Sequence, residues 1–425
     1  MPADAWGLPV TTSSTRALER YDRGIRALLG WEACALDEFR EALAEDPGLA
    51  LAHAGVAVCL FLEERFAEAR TAAETARSTV TGATSREQGH VEAMALLVTG
   101  KPPDAERAMR GHLAALPRDI AVLQRLYFIW FWQGRFPEML DFTGAIASHY
   151  GDAPFFDGLH AFALEQGNRC DEAVRTAEAA LAREPRDAWG VHALAHALYE
   201  QAVFDTGIAR LPPATHRCRG LNWFQNHLAW HLALMHFAKG DFARASAISR
   251  ATFERAPSSI AGDLHDSISL LWRLMLVGHD VRERWQPFVE IARQRLDRQG
   301  LPFHAAHLTM ALSAGGDWQT AARQLGMLRE RAPKDRTGLV GDVLVPLVEG
   351  LQGFAAGEWR VAIDRIEPIR DRIVALGGSR AQRDVFHDTV LEACIRAGDM
   401  DRARRYLAAR VARRPDPYWL NRSIA

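Results

Sequence analysis

Histidine is where this chain concentrates groups able to do chemistry. Of its 16 histidines, ten fall between His192 and His307. His192 and His196 lie four apart, His227 and His231 four apart, and His304 and His307 three apart, so on a helix each pair shares one side. Imidazoles one turn apart can grip a divalent metal, as paired histidines do in helical zinc and di-metal sites. The first-choice metal ligands are His192, His196, His227 and His231. That leaves His265, His304 and His307 as a further ligand, or as general base and acid near neutral pH. Asp263 or Asp266 can orient an imidazole through its second nitrogen. Trp189, Trp223, Trp230 and Trp272 accompany the histidines, and Arg273 adds a cation for an anionic or polar ligand. An apolar aromatic wall with a few polar groups suits a small-molecule pocket. A divalent metal is the one cofactor these residues suggest, and any other stays unknown from sequence.

The elements that must position these groups belong to an ordinary globular composition: 425 residues, 48% apolar and 24% charged, long enough for more than one simple core. Lys plus Arg number 51 against 53 Asp plus Glu, for a formal charge of −2. Neither nucleic acid nor an anionic membrane gains bulk attraction from that balance. Arg402, Arg404, Arg405, Arg410, Arg413 and Arg414 cluster near the C-terminus and read as a solvated helix face. The five cysteines are scattered without a C-x-x-C spacing, which argues against a disulfide framework or a thiolate zinc site and fits a reducing compartment. Met1-Pro-Ala-Asp-Ala-Trp-Gly7 has no basic region followed by an apolar stretch, and no window approaches a membrane span, so the expected location is cytoplasmic. Phosphate-binding, dinucleotide-binding, nucleophile-elbow and H-E-x-x-H motifs are absent from the sequence, which disfavours those enzyme classes.

Internal repeats supply the architecture. Gly240-Asp-Phe-Ala-Arg-Ala245, Gly316-Asp-Trp-Gln-Thr-Ala321, Gly357-Glu-Trp-Arg-Val-Ala362 and Gly398-Asp-Met-Asp-Arg-Ala403 each place an apolar residue two after Gly and Ala five after it. Gly ends one helix, and the small Ala lets the next pack closely. The register extends back through Glu283, Gly207, Ala173, Leu140, Ala105, Ala69 and Ala35, at spacings of 34, 36, 35, 33, 34, 38, 38, 38, 41 and 41 residues. Leu36, Phe39 and Leu43 show the helical period, and strand signals are nearly absent. Near the turn positions, Trp31, Trp285, Trp318 and Trp359 read as packing. His53, His90, His112, His149, His160 and His387 are isolated and read as surface or satisfied core groups.

The spacing near 34 and the order Gly, aromatic, Ala, Pro resemble tetratricopeptide repeats. A narrower resemblance covers almost the whole chain. Gly7-Leu-Pro-Val-Thr-Thr-Ser-Ser-Thr-Arg-Ala-Leu-Glu-Arg-Tyr-Asp22, Trp189-Gly-Val-His-Ala-Leu-Ala-His196, Asn226-His-Leu-Ala-Trp-His-Leu-Ala-Leu234 and Ser269-Leu-Leu-Trp-Arg-Leu274 are similar to the tetratricopeptide repeat protein 38 family. The resemblance implies an all-α, right-handed superhelical solenoid of about eleven helix-turn-helix repeats, its first helices lining the concave face. Numbered so that each anchor is position 20, His192 and His196 fall at 5 and 9, His227 and His231 at 2 and 6, His265 at 2, and His304 and His307 at 3 and 6 of successive units. The family pattern therefore implies that four consecutive units point histidine inward.

The expected organisation is one continuous solenoid over 1–425, with a subdivision into 1–206 and 221–425. Gly207 to Gly220, containing Pro212-Pro213, is the expected interruption. Two functions fit. One is a central His/Trp-lined pocket binding a small molecule or divalent metal, with His acid–base or metal-assisted chemistry there. The other is a non-enzymatic adaptor holding a peptide or protein on the concave surface. The expected partners are thus a small-molecule ligand or a peptide or protein, with no nucleic acid and no membrane. A wholly structural account of the histidines also stands, in which they bond across packed helices, tryptophans fill core, and Arg273 pairs with Asp263 or Asp266.

Overall fold

The structure, a computed structural model, describes residues 1–422. Among them the chain is all-α, with two isolated bridges, Ala3 to Pro9 and Glu32 to Leu221, as its only extended pairings. Eleven successive helix pairs run from Thr15–Leu29 with Ala35–Glu45 to Arg380–Arg396 with Met400–Arg413, and a short Pro417–Leu420 helix follows. The repeat register and the helix pairs coincide. All five cysteines are free, and no described helix is long and apolar enough to cross a membrane.

The two helices of a pair differ in composition for a physical reason. A first helix such as Ala50–Leu62 is apolar almost all round and buries every residue from Ala54 to Leu60, as a helix packed on several sides must. Its partner Phe66–Thr79 buries only Ala69, Ala73 and Ala76, one stripe with the rest solvated. The anchor alanines Ala69, Ala105, Ala173, Ala245 and Ala362 are all at 0% exposure, so close helix approach is the reason for the small residue. The glycine before the anchor takes a left-handed turn, at φ +81° for both Gly316 and Gly357, where a Cβ would be strained.

The fold departs from two sequence expectations. Trp318, the first residue of its helix, is 44% exposed, unlike Trp31 and Trp285. Phe204–Arg217 runs as one helix through Pro212-Pro213. The C-terminal arginines are not all solvated. Arg404 and Arg405 are exposed, but Arg410 and Arg414 are buried, because the neighbouring helix Arg380–Arg396 presents buried Asp384 and Asp388. Arg410 donates to Asp388 and Asp416 at 3.0 and 2.7 Å, and Arg414 to Asp416, Glu200 and Asp384 at 2.6, 2.9 and 2.9 Å.

The chain divides into two compact units. The first comprises Met1–Trp130, Phe136–Leu194 and Pro213–Asn222; the second comprises Phe131–Arg135, Ala195–Pro212 and Trp223–Ala425. Two of the dividing points fall inside the Ala188–Glu200 helix and at Pro212-Pro213. In the second unit Leu264, Ile268, Trp272, Phe303, Leu347 and Phe386 belong to one continuous apolar core, each large side chain contributing about 1.5–3 kcal/mol by leaving water.

Candidate functional site

The second unit gathers a set of imidazoles. Helix Phe224–Ala238 supplies His227 and His231 on one side, as their spacing of four requires. His196 comes from the Ala188–Glu200 helix. The ligand nitrogens of His196, His227 and His231 lie within 4.8 Å of one another. Rings of His196 and His231 are 4.4 Å apart, and those of His227 and His231 are 4.8 Å apart and perpendicular. All three side chains are buried.

Asp266, on helix Ala261–Leu276, settles the tautomer of His227. Its Oδ2 accepts from His227 Nδ1 at 2.6 Å, so Nδ1 carries a proton and Nε2 is the nitrogen turned toward the neighbouring rings. That Nε2 faces Nε2 of His231 at 3.2 Å. Two nitrogens bound to one tetrahedral zinc, each about 2.0–2.1 Å from it, stand roughly 3.3 Å apart. Burial, with the neighbouring imidazoles, holds His196 and His231 well below the ordinary histidine range, so at neutral pH they present lone pairs rather than charge. Burial alone would push the Asp266 carboxyl up, but His227 and His265 outweigh it and hold the group low, as a carboxylate. Trp230 stacks on His227 with centroids 5.5 Å apart and donates from Nε1 to Ser269 Oγ at 3.1 Å.

The other oxygen of Asp266 meets a second histidine group. Ser379 and Gln382 form a capping box at the start of Arg380–Arg396, in which Gln382 Oε1 accepts from Ser379 N at 2.9 Å. The Gln382 amide is thereby oriented, and its Nε2 donates to His265 Nε2 at 2.9 Å, with Asp266 Oδ1 at 3.4 Å. His265 Nε2 also stands 3.3 Å from Asp266 Oδ1, and His265 Nδ1 lies 3.1 Å from His304 Nδ1 between nearly parallel rings. His307 donates from Nδ1 to the Phe303 carbonyl at 2.8 Å. Its buried Nε2 has no hydrogen-bond partner among the described residues. Burial, then His265, lowers His304 and lowers His307 to about 3. Bases that weak take up protons poorly at neutral pH, so these two rings offer lone pairs more than acid–base catalysis.

The remaining expected site residues have the following surroundings. His192, one turn before His196 on the same helix, belongs to the first unit, where it packs against Trp189 at 4.4 Å and Phe162 at 5.0 Å. Trp189 stacks on Trp31 at 5.7 Å. Asp263 accepts from Asn226 Nδ2 at 3.1 Å, and burial raises it to about 6. Trp223 is half-buried and lies over Gly262, where a Cβ would come 2.5 Å from the ring. Trp272 is fully buried and donates to Thr389 Oγ1 at 2.9 Å. Arg273 pairs with neither aspartate: it donates to the carbonyls of Ala381 and Ser269 at 2.7 and 3.2 Å and lies 5.5 Å over Trp230. Gln382, Ser379 and Thr389 escaped the sequence reading. The S-x-x-Q cap was legible, but its tie to His265, 117 residues away, was not.

A second cluster forms in the first unit from histidines that look isolated in sequence. Asp119 Oδ2 accepts from His90 Nδ1 at 2.9 Å, from His112 Nε2 at 3.0 Å and from Arg86 Nε at 3.2 Å. Arg86 also donates to Asp4 Oδ2 at 2.7 Å, so the cluster holds the N-terminal segment. His90 and Arg86 outweigh burial and keep the Asp119 carboxyl well below its ordinary value. A guanidinium already on that oxygen disfavours a metal ion there.

No family model matches the chain. Solved structures similar to it include Naa15/Naa10 bound to HypK-THB, at 14% identity over 95% of this chain and 65% of that one, with a TM-score of 0.27. The chain thus spans just under two thirds of that relative. The APC/C hetero-tetramer Cut9-Hcn1 is 14% identical over 88% of this chain and 76% of that one, TM-score 0.40. The human IFIT1 dimer with m7Gppp-AAAA is 14% identical over 95% and 91%, TM-score 0.39. These likenesses concern the fold alone.

Proposed function

We propose that the chain is a tetratricopeptide-like repeat protein whose second unit binds a divalent metal ion of the zinc class through His196, His227 and His231. The observation that carries this reading is the 3.2 Å approach of His227 Nε2 to His231 Nε2, with Asp266 fixing the His227 tautomer from behind. A carboxylate on the far nitrogen orients a ligating imidazole and raises its basicity. Three histidines leave a fourth position for water or a substrate, where a bound ion polarises oxygen or lowers the pKa of water. Asp266 then links the ligand His227 to His265 and His304 in one buried polar chain.

Elemental analysis of untagged full-length protein tests this. The expected result is about one equivalent of zinc or a similar ion, lost in His231→Ala and retained in His112→Ala. Metal absent from the wild type after incubation with zinc and desalting would end the reading. In His192→Ala, retention of the ion would mean that its fourth position is open.

A second reading, an adaptor for a peptide or protein, is supported by the repeat architecture itself, since stacked helix pairs are widely used as binding scaffolds. Exposed Trp318 is a residue on which to test it. A partner captured by the wild type and by His231→Ala but lost on Trp318→Ala would favour the adaptor over the metal protein.

A further inference from the structure

Buried arginines in this protein meet carboxylates or backbone carbonyls, with one exception among the described residues. Arg86, Arg410 and Arg414 each meet at least two carboxylates, and Arg273 donates to two carbonyls. Arg125, on the Ile120–Trp132 helix of the first unit, is 3% exposed and forms no ion pair among the described residues. Among the described residues its one hydrogen bond goes to the neutral side chain of Gln124, and its Nε has no acceptor. The nearest titratable group acting on it is the Cys59 thiol. Burial pushes that thiol up to about 12, so it stays protonated and supplies no negative charge. An isolated ion in such a place costs several kcal/mol, and burial drags Arg125 down to about 10, still a cation at neutral pH.

Aromatic rings form its surroundings. The guanidinium lies 5.1 Å over Phe128. Phe128 in turn meets Tyr127 at 5.6 Å, Trp31 at 5.6 Å and Trp189 at 5.0 Å. Uncompensated charge and unsatisfied donors inside a stable fold are expected where a ligand completes the site.

We propose that Arg125 anchors an anion site in the first unit, taking the carboxylate of a small organic acid with an aromatic or otherwise apolar body. The guanidinium fork matches a carboxylate, and its free Nε–H supplies the missing hydrogen bond. A single positive charge balances a single negative one, so a monocarboxylate fits better than a phosphate dianion. The rings around Phe128 suit an apolar body. The site shares no residue with the metal ligands, so either can fail without the other.

Equilibrium dialysis of the full-length protein against benzoate, acetate and inorganic phosphate at fixed ionic strength tests it. Benzoate is expected to bind more tightly than acetate, and phosphate least. Arg125→Lys keeps the charge but loses the fork, and is expected to weaken benzoate about tenfold; Arg125→Met should abolish its binding. Saturating benzoate should raise the wild-type melting temperature by about 3 °C. No benzoate bound by the wild type, binding undiminished in both variants, or phosphate tighter than benzoate would each overturn the proposal.

Discussion

Two histidine–aspartate clusters, one in each unit, use the same residue types to opposite ends. Around Asp119, every donor converges on the carboxylate: two imidazoles and a guanidinium meet its Oδ2. Around Asp266, the carboxylate takes one nitrogen of His227 and leaves the other facing a second imidazole. The first arrangement is saturated and carries its own cation, which fits a role in holding the N-terminal segment. The second has no arginine on the aspartate and brings two imidazole nitrogens within 3.2 Å of each other. What separates a clamp from a ligand set is therefore which side of the imidazole the carboxylate occupies and whether an arginine is already present.

The largest expected effect breaks the clamp. Asp119→Ala leaves Arg86 short of a carboxylate in a buried site and should cost about 3–5 kcal/mol in urea unfolding. A loss near zero would mean that the first cluster is no clamp. Asp266→Asn, the matching change in the second unit, should act on the ion instead, weakening zinc affinity about 10- to 100-fold by competition titration. An unchanged affinity would erase the contrast drawn between the two aspartates.

Acid should separate the clusters again. His307 takes up a proton near 3 when folded and near 6.5 when unfolded, so its contribution is intact above 6.5 and is lost as the pH falls from 6.5 toward 3. The slope is about 1.4 kcal/mol per pH unit, and His307→Met should flatten the measured pH dependence by that amount. Asp119, depressed below its ordinary value of 3.8, keeps its contribution down to that value and loses it as the pH falls further. An unaltered slope in His307→Met would show that the ring is not held neutral by burial. Gly89→Ala carries the smallest effect. Its Cβ would stand 2.7 Å from His112 Nδ1, and after the better helix propensity of Ala is allowed for, about 1 kcal/mol of destabilisation should remain.

Much of the fold was legible because its signals are local. Gly316 must end a helix with positive φ, Ala321 must let the next helix approach, and both requirements recur at a fixed interval. The pairing of His227 with His231 was legible for the same reason. The clamp was not, since His90 and Asp119 lie 29 residues apart and look unrelated until two repeats stack. Arg414 also resisted reading. A run of arginines on an amphipathic helix looks solvated unless Asp384 and Glu200, 30 and 214 residues away, are known to face it.

By itself the sequence determined the helix pairs and which histidines share a helix face, because periodicity, caps and small-residue contacts act over a few residues. Only the tertiary structure decided which imidazole nitrogen keeps its proton, which aspartate meets an arginine, and that Arg125 meets no acid. Those outcomes depend on single hydrogen bonds between distant repeats, and a hydrogen bond has direction and a reach of about 3 Å that no spacing along the chain encodes.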